Sequence, residues 1–566
     1  MKKSRVKKTS PAKRLIGIFG ATASAALLPA AAMAGALSLV YASLEMPDSL
    51  VAKWLIRPLA VIGAGGVGAS GGGLPTSVGS TTSTTTPPTA QIRPTKISMN
   101  LEPADYYSSN RIFSNLASGS GWEVRPADNG PADSYYNSNR DVIKVVGNDR
   151  IFRPILRPTG VFQRKSVDIV CRWDGVGTLY FDKPSGVKNF IQGPNTARYT
   201  QLYEGDGVGW MFVYLKTVDA NNPIRNIDCR ETNADRNALF DPTYLASLKK
   251  YTTVRFMKWQ NTEANANLTW ANRTTPAMGP IRGGGDGYAI EYMIELANQA
   301  KVNPWFTLSW NADDDYVRKF AEMVRDKLDP NLKAYVETSN EVWNWVYPVT
   351  TQAANEGLAE GLSTNMGEAM LRRYAERTGQ QMDIWKDVFT GQASRLVRVA
   401  ASQNANSWTI ETIVNFRDTA SKIDAISSAP YFGTNLNDYT GSRTDMTAYF
   451  TNLKTVVDGT IRDALKFKKL ADQKGLRFVA YEGGQHVLGD DLDLQTKIQY
   501  DPRMGDMYTY YLTRWNNEIG DDLVLFNDYG QVSRFGAWGM FDYVGQPTNA
   551  TPKGNALTLF QASIGK

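Results

Sequence analysis

KAYVETSNEVWNWVY, residues 333–347, decides how the rest of this chain is read. Its first half has the character of a strand: Tyr335 and Val336 favour a pleated backbone, and the helix-like run before it is ended by Asp329-Pro330. Asn340-Glu341 then falls where that strand should end, followed at once by Trp343 and Trp345. A carboxyl group, an amide and flat rings at one strand end suit carbohydrate chemistry, which needs an acid for a glycosidic oxygen, a donor for a hydroxyl and ring faces for pyranoses. A second carboxylate is required at another strand end. FVAYEGG, residues 478–484, supplies Glu482.

Outward from that stretch, strand and helix patterns alternate. Helical patterns are predicted near 242–251, 287–300, 313–327, 366–389, 408–421, 446–473, 503–517 and 552–562, with strands near 253–259, 303–309, 333–339, 395–401, 424–429, 477–482 and 523–527. Taking 97–101 as the first strand closes the count at eight and eight, the arithmetic of a (β/α)8 TIM barrel in the α/β class. Glu341 then follows the fourth strand and Glu482 the seventh. Between the first strand and the remainder, DVIKVVG, SVDIVCRWDG, GTLYFDK, RYTQLYEG and GWMFVYLKTV are short β runs broken by Gly, Asp and Pro, as expected of an inserted β-sandwich whose aromatic residues form its core. The expected division is 96–140 for the first barrel strand and its connection, 141–235 for the sandwich and 236–566 for the barrel.

The composition, 42% hydrophobic and 21% charged, is that of a globular protein. The net charge of +6 is local in origin: Lys2, Lys3, Arg5, Lys7, Lys8, Lys13 and Arg14 carry seven positive charges, leaving 55 basic against 56 acidic residues elsewhere. No nucleic acid partner is implied. The basic cluster precedes an uncharged run, 15–44, containing Ala32-Met33-Ala34, so residues 1–34 are expected to form an export signal, or a membrane anchor if uncleaved. The bulk of the protein would then lie outside the cytoplasm, as a monomer that meets a membrane only through that segment. Cys171 and Cys229 form one disulfide or stay as buried thiols.

Residues 35–95 read as a low-complexity linker. Gly63, Gly65 and Gly68 match a G-x-G-x-x-G dinucleotide pattern, but the Gly/Ser/Thr/Pro tract after them supplies neither the helix nor the acidic ribose ligand that the motif needs. An oxidoreductase reading rests on that motif alone, and no cofactor is expected. The acidic run Asp313-Asp314-Asp315 is predicted to cap a helix, and no metal is expected in the reaction.

Arg255 in VRFMKW, Asn340-Glu341, Tyr431 in APYFG, Glu482 in YEGG and Trp538 together resemble the pattern of glycoside hydrolase clan A, the retaining (β/α)8-barrel enzymes. RNIDCR, EYMIELAN, DDYVRKFAEMVRD and YVETSNEVWN resemble, more narrowly, exported bacterial proteins labelled cellulose-binding or glycosidase-like; the likeness spans about 97–550. The resemblance implies Glu341 as general acid/base, Glu482 as nucleophile, Asn340 as ligand of the sugar 2-hydroxyl, and Arg255 and Tyr431 as donors that keep Glu482 ionised.

Trp259, Trp305, Trp310, Trp343, Trp345 and Trp538, at or just after strand ends, are candidate sugar platforms, two or three of them expected to be packed under loops instead, and the insertion between Trp343 and Met366 and segment 270–273 are candidate cleft walls. His486, the chain's single histidine, is either a candidate ligand on the leaving-group side or an exposed loop residue; clan relatives often place further histidines beside the catalytic pair, and Ser309-Trp310-Asn311 after the third strand offers none. Glu337 is expected to be a buried partner of a basic residue rather than part of the catalytic pair. The expected activity is exported, endo-acting, retaining hydrolysis of a polysaccharide; a binding or surface-attachment protein that keeps the groove without turnover is the alternative.

Overall fold

The computed structural model describes residues 92–104, 110–119, 121–156, 166–184, 186–202, 210–279, 287–533 and 535–565. The signal or anchor segment, nearly all of the linker and the Gly63–Gly68 motif lie outside these residues.

Numbered in chain order, β1 is Arg93–Asn100; β2 to β9 are Glu123–Arg125, Arg150–Leu156, Val167–Asp174, Gly177–Phe181, Val187–Gly193, Thr196–Gln201, Trp210–Val218 and Arg225–Glu231. The later strands β10 to β18 are Thr253–Arg255, Asn303–Leu308, Ala334–Thr338, Leu396–Ser402, Ala425–Ser428, Tyr431–Phe432, Arg477–Ala480, Gly484–Gln485 and Gly520–Leu525. A closed parallel barrel is formed by β1, β10, β11, β12, β13, β14, β16 and β18, in chain order around the ring, and helices surround it. The molecule is a (β/α)8 TIM barrel. β12 is its fourth strand and β16 its seventh.

Parallel strands covered on both faces leave neither to solvent, and β12, β13, β14 and β18 are buried along their whole length. Alternation sends Tyr335 and Glu337 of β12 to the lumen and Ala334 and Val336 to the helices. The lumen is filled by Trp305, Tyr335, Val397, Val399, Val479 and Tyr481, with smaller neighbours. Toward its N-terminal end, Tyr335 Oη donates to Asp522 at 2.6 Å, and Arg477 bonds Asp521 at 2.6 Å and Asp522 at 3.0 Å.

Helix starts follow capping chemistry. Asp313 accepts from the Tyr316 N–H at 2.7 Å and so caps helix Asp314–Lys327, which accounts for the acidic run there. Three helical features differ from expectation, the first being helix Leu492–Tyr500, which has no counterpart in the predicted set. The 408–421 pattern is divided into Ser407–Val414 and Thr419–Lys422, because Arg417 between them is left-handed (φ 49°) and breaks the hydrogen-bond ladder. The supposed wall after Trp343 contains helix Pro348–Ala359, started by a proline at its first position and packed along helix Met366–Val388.

Between β1 and the rest of the barrel lie two four-stranded antiparallel sheets, β2-β3-β8-β5 and β6-β7-β4-β9. Ile169, Cys171 and Trp173 of β4 and Met211, Val213 and Leu215 of β8 alternate inward and join one buried cluster drawn from both sheets. Cys171 and Cys229, opposite each other on β4 and β9, are joined as a disulfide. Arg111, in the connection from β1, bonds Glu231 at 2.7 Å and Asp241 at 2.9 Å, tying the end of β9 to the cap of helix Pro242–Leu248.

Candidate active site

Arg255, the last residue of β10, is completely buried and organises the C-terminal mouth of the barrel. Its Nε and Nη2 clasp Glu337 at 3.0 and 3.1 Å, Nη1 donates to Glu482 Oε1 at 2.8 Å and to Asn100 Oδ1 at 3.2 Å, and Nη2 also reaches Asn340 Oδ1 at 3.0 Å. A planar five-donor guanidinium is the side chain able to serve four partners from three strands at once. Glu337 is thus the buried partner of a basic residue, and Trp305 Nε1 donates to its Oε2 at 2.9 Å.

Glu482 follows β16 by two residues, and its second oxygen accepts from Tyr431 Oη at 2.9 Å. Glu341 follows β12 by three residues in a bend where Ser339 (φ 58°) and Glu341 (φ 44°) both adopt left-handed backbone, a strain of the kind concentrated at functional sites. That bend aims the carboxyl of Glu341 at Tyr481, whose Oη donates to Oε1 at 2.9 Å, while Asn344 Nδ2 donates to Oε2 at 2.8 Å. Asn340 gives its oxygen to Arg255 and so has its NH2 to offer a ligand.

The two carboxyls differ in their electrostatics. Burial first, and the neighbouring charge of Glu482 second, push Glu341 up to about 7, against the opposing pull of Asn344 and Tyr481. Glu482 is also raised, by burial, although Arg255 and Tyr431 oppose it. The expected strong ionisation of Glu482 is therefore blunted: one guanidinium is divided between Glu337 and Glu482, and both are desolvated. Of the pair, Glu482 ionises first, because it alone holds Arg255. Among the described residues no cation is bonded to Glu341, which keeps its proton longer.

His486 lies beside Tyr431, with ring centroids 5.0 Å apart, and its Nδ1 accepts from Trp538 Nε1 at 3.1 Å. Burial lowers it to about 4, so the ring is neutral with its proton on Nε2, a donor. The strand pair β15–β17 carries these groups closely enough that Gly433 has no room for a side chain: a Cβ there would meet the His486 carbonyl oxygen at 1.9 Å.

The structure brings Arg255, Asn340, Glu341, Tyr431, Glu482, His486 and Trp538 into one region. It takes three of the proposed platforms out of reach: Trp305 is fully buried in the lumen with its Nε1 bonded to Glu337, and two others are packed away from the site. Trp259 is fully buried, with its ring against Tyr288 at 4.9 Å and its Nε1 bonded to the Glu102 carbonyl, so it has no face to offer a sugar. Trp310 is 3% exposed, bonded to Glu356 and covered by Arg373. These last two follow their strands but turn outward into the helix layer. Trp345 is 50% exposed, and Trp343 and Trp538 are half-buried. In the 270–273 segment, Arg273 covers the ring of Trp270 and pairs with Glu291 at 2.9 Å.

Sequence reasoning missed Tyr481 and Asn344, the two groups that hold Glu341, and a flanking set in which Glu263 accepts from Lys258 at 2.7 Å and from Tyr347 Oη at 2.9 Å. The charge of Glu263 raises both Glu341 and Glu482. Tyr481 and Asn344 were visible as neighbours of the two glutamates; a contact across 84 positions such as Tyr347–Glu263 leaves no local signal.

Fold and site together define a TIM barrel with paired carboxyls at the ends of its fourth and seventh strands. No protein-family model and no curated protein matches the chain. Among solved structures it is similar to a 4-O-α-L-rhamnosyl-β-D-glucuronidase from Fusarium oxysporum 12S, at 13% identity over 56% of this chain and 64% of that one, with a TM-score of 0.36. It is similar also to a modular endo-β-1,4-mannanase from Cellulomonas fimi (12%, 48% and 56%, TM-score 0.29) and to a Bacteroidetes-affiliated GH5 cellulase (11%, 57% and 84%, TM-score 0.34). The chain thus spans less than two thirds of the first two. All three are glycoside hydrolases.

Proposed function

We propose that this protein is an exported glycoside hydrolase that cleaves a polysaccharide internally, with retention of configuration. The observation that carries the reading is the unequal environment of Glu341 and Glu482: Glu482 is held by the cation of Arg255 and by Tyr431, and Glu341 by the neutral donors Tyr481 and Asn344. In the reaction, ionised Glu482 attacks the anomeric carbon while Glu341 gives its proton to the departing glycosidic oxygen. Glu341, now ionised, then takes a proton from water, whose oxygen attacks the same carbon and releases Glu482. Asn340 offers its NH2 to the sugar 2-hydroxyl, and His486 a neutral N–H.

Half-buried Trp343 and Trp538 and exposed Trp345 suit an open cleft that binds several sugar units, which favours endo action. The Cys171–Cys229 disulfide fits an oxidising compartment, as the N-terminal basic and uncharged runs do. We read the two antiparallel sheets as an accessory β-sandwich.

The test is a panel of bacterial and plant polysaccharides offered to the full chain and to Glu482→Gln, with products resolved by size and the anomeric form of the first product followed by NMR. Release of oligosaccharides of retained configuration by the parent alone is expected. Equal release by both proteins would remove the nucleophile from Glu482; binding without release by either would favour the carbohydrate-binding alternative.

A further inference from the structure

Tyr481 sits between the two carboxyls without belonging to either. It is fully buried in the lumen cluster, its hydroxyl donates to Glu341, and its peptide bond leads directly into Glu482. The residue is fixed at three further points: its N–H donates to the Ser428 carbonyl at 3.1 Å, its carbonyl accepts from Asn100 Nδ2 at 2.9 Å, and its ring lies 5.0 Å from the Arg255 guanidinium. Asn344, the other donor to Glu341, lies on the same bend, its own N–H bonded to the Glu341 carbonyl. Tyr481 comes from the opposite side of the barrel and sets the position of Glu341 relative to Glu482.

We infer that Tyr481 is a positioning residue that holds Glu341 in its ionised form, which is the form needed when Glu341 must act as base. This rests on the glycosidase reading. A hydrogen bond donated to a carboxylate favours the anion. In the first half of the cycle the charge of Glu482 works against that bond and leaves Glu341 protonated. Once Glu482 is esterified by the sugar its charge is gone, and the Tyr481 bond acts unopposed while Glu341 accepts the proton of the attacking water. The timing of the acid-to-base change is thereby built into the residue next to the nucleophile.

Tyr481→Phe in the full chain removes the hydroxyl and keeps the ring. Two measurements test it. In infrared-monitored carboxyl titration, with Glu341→Gln identifying the Glu341 band, Tyr481→Phe should move the Glu341 midpoint upward by about one pH unit, the alkaline limb of kcat/KM moving with it. With an aryl glycoside bearing a good leaving group, where the second half limits turnover, kcat on the acid side of the Glu341 midpoint should fall roughly tenfold while kcat/KM changes little. An unmoved Glu341 midpoint, or an equal fall in kcat and kcat/KM with an unmoved limb, overturns the inference. A shifted midpoint in a protein that turns over no substrate supports the hold on Glu341 and sinks the glycosidase reading instead, because the infrared measurement needs no turnover.

Discussion

Arg255 and Glu337 form a two-point ion pair, with bonds of 3.0 and 3.1 Å, at complete burial inside the barrel mouth. The pair fixes the plane of the guanidinium, and that plane is what aims Nη1 at Glu482. Lysine could keep the charge but not the plane. Arg255→Lys is therefore expected to lower kcat by roughly 100-fold or more through misplacement of the nucleophile. Arg255→Met, which strands two buried carboxyls, should cost about 3–5 kcal/mol in urea unfolding. Near-parent activity in Arg255→Lys would show that Glu482 needs the charge at position 255 and not the plane of the guanidinium.

Glu341 and Glu482 should fail in different ways when truncated. On the proposed mechanism Glu341→Ala removes the proton donor and the base but leaves the nucleophile, so a substrate with a good leaving group still forms the covalent intermediate, which then accumulates. Added azide, small and anionic, can enter the space left by the side chain and needs no base. Rate recovery with formation of a glycosyl azide of retained configuration is expected for Glu341→Ala and not for Glu482→Ala. Recovery in the second variant and not the first would exchange the two roles.

The barrel was legible because its signal is periodic and repeated: strands such as AYVET and LVRVAAS alternate with capped helices, and strand order in a barrel follows chain order. Closure of the ring then placed Glu341 and Glu482 together although 141 positions separate them. The direction of an aromatic ring after a strand end was not legible. Trp259 and Trp345 have the same residue type and a similar position, yet one points under a loop and the other into solvent, a choice made by packing partners such as Tyr288 that come from elsewhere in the chain. The division of one cation between Glu337 and Glu482 was hidden for the same reason. It depends on three strands meeting, not on any one of them.

That contrast gives a paired test. Trp345→Ala removes an exposed ring and should leave the melting temperature within about 2 °C while weakening KM for long oligosaccharides several-fold, with little change for short ones. Trp259→Ala opens a cavity in the core and should destabilise by about 3–5 kcal/mol. A Trp345→Ala enzyme indifferent to chain length would take that ring out of the cleft.

The Cys171–Cys229 disulfide links residues 58 apart in sequence and lies wholly within the two-sheet unit. Chain-entropy arithmetic for a loop of this size gives about 4 kcal/mol. Cys171→Ala/Cys229→Ala should lower the unfolding midpoint of that unit, and reduction of the parent protein should reproduce the change. Activity on a small soluble substrate should survive, since none of the barrel-mouth residues depends on the bond. Loss of that activity with the sheets still folded would mean that the two-sheet unit completes the site.

Acid–base linkage makes Glu341 itself a probe of its environment. In the unfolded chain a glutamate loses its proton near 4.5, whereas in the folded protein burial and Glu482 hold Glu341 up to about 7. Between those values the folded state binds more protons than the unfolded one, so this residue's contribution to stability declines as pH rises through that window and is lowest above 7. Glu341→Gln carries no such penalty. The variant should therefore gain on the parent as pH rises, the difference in unfolding free energy growing by on the order of 2 kcal/mol between pH 4.5 and pH 8. Urea titrations of both proteins across that range measure it. A constant difference would mean that Glu341 is solvated like an ordinary surface carboxylate, and would remove its claim to start the reaction protonated.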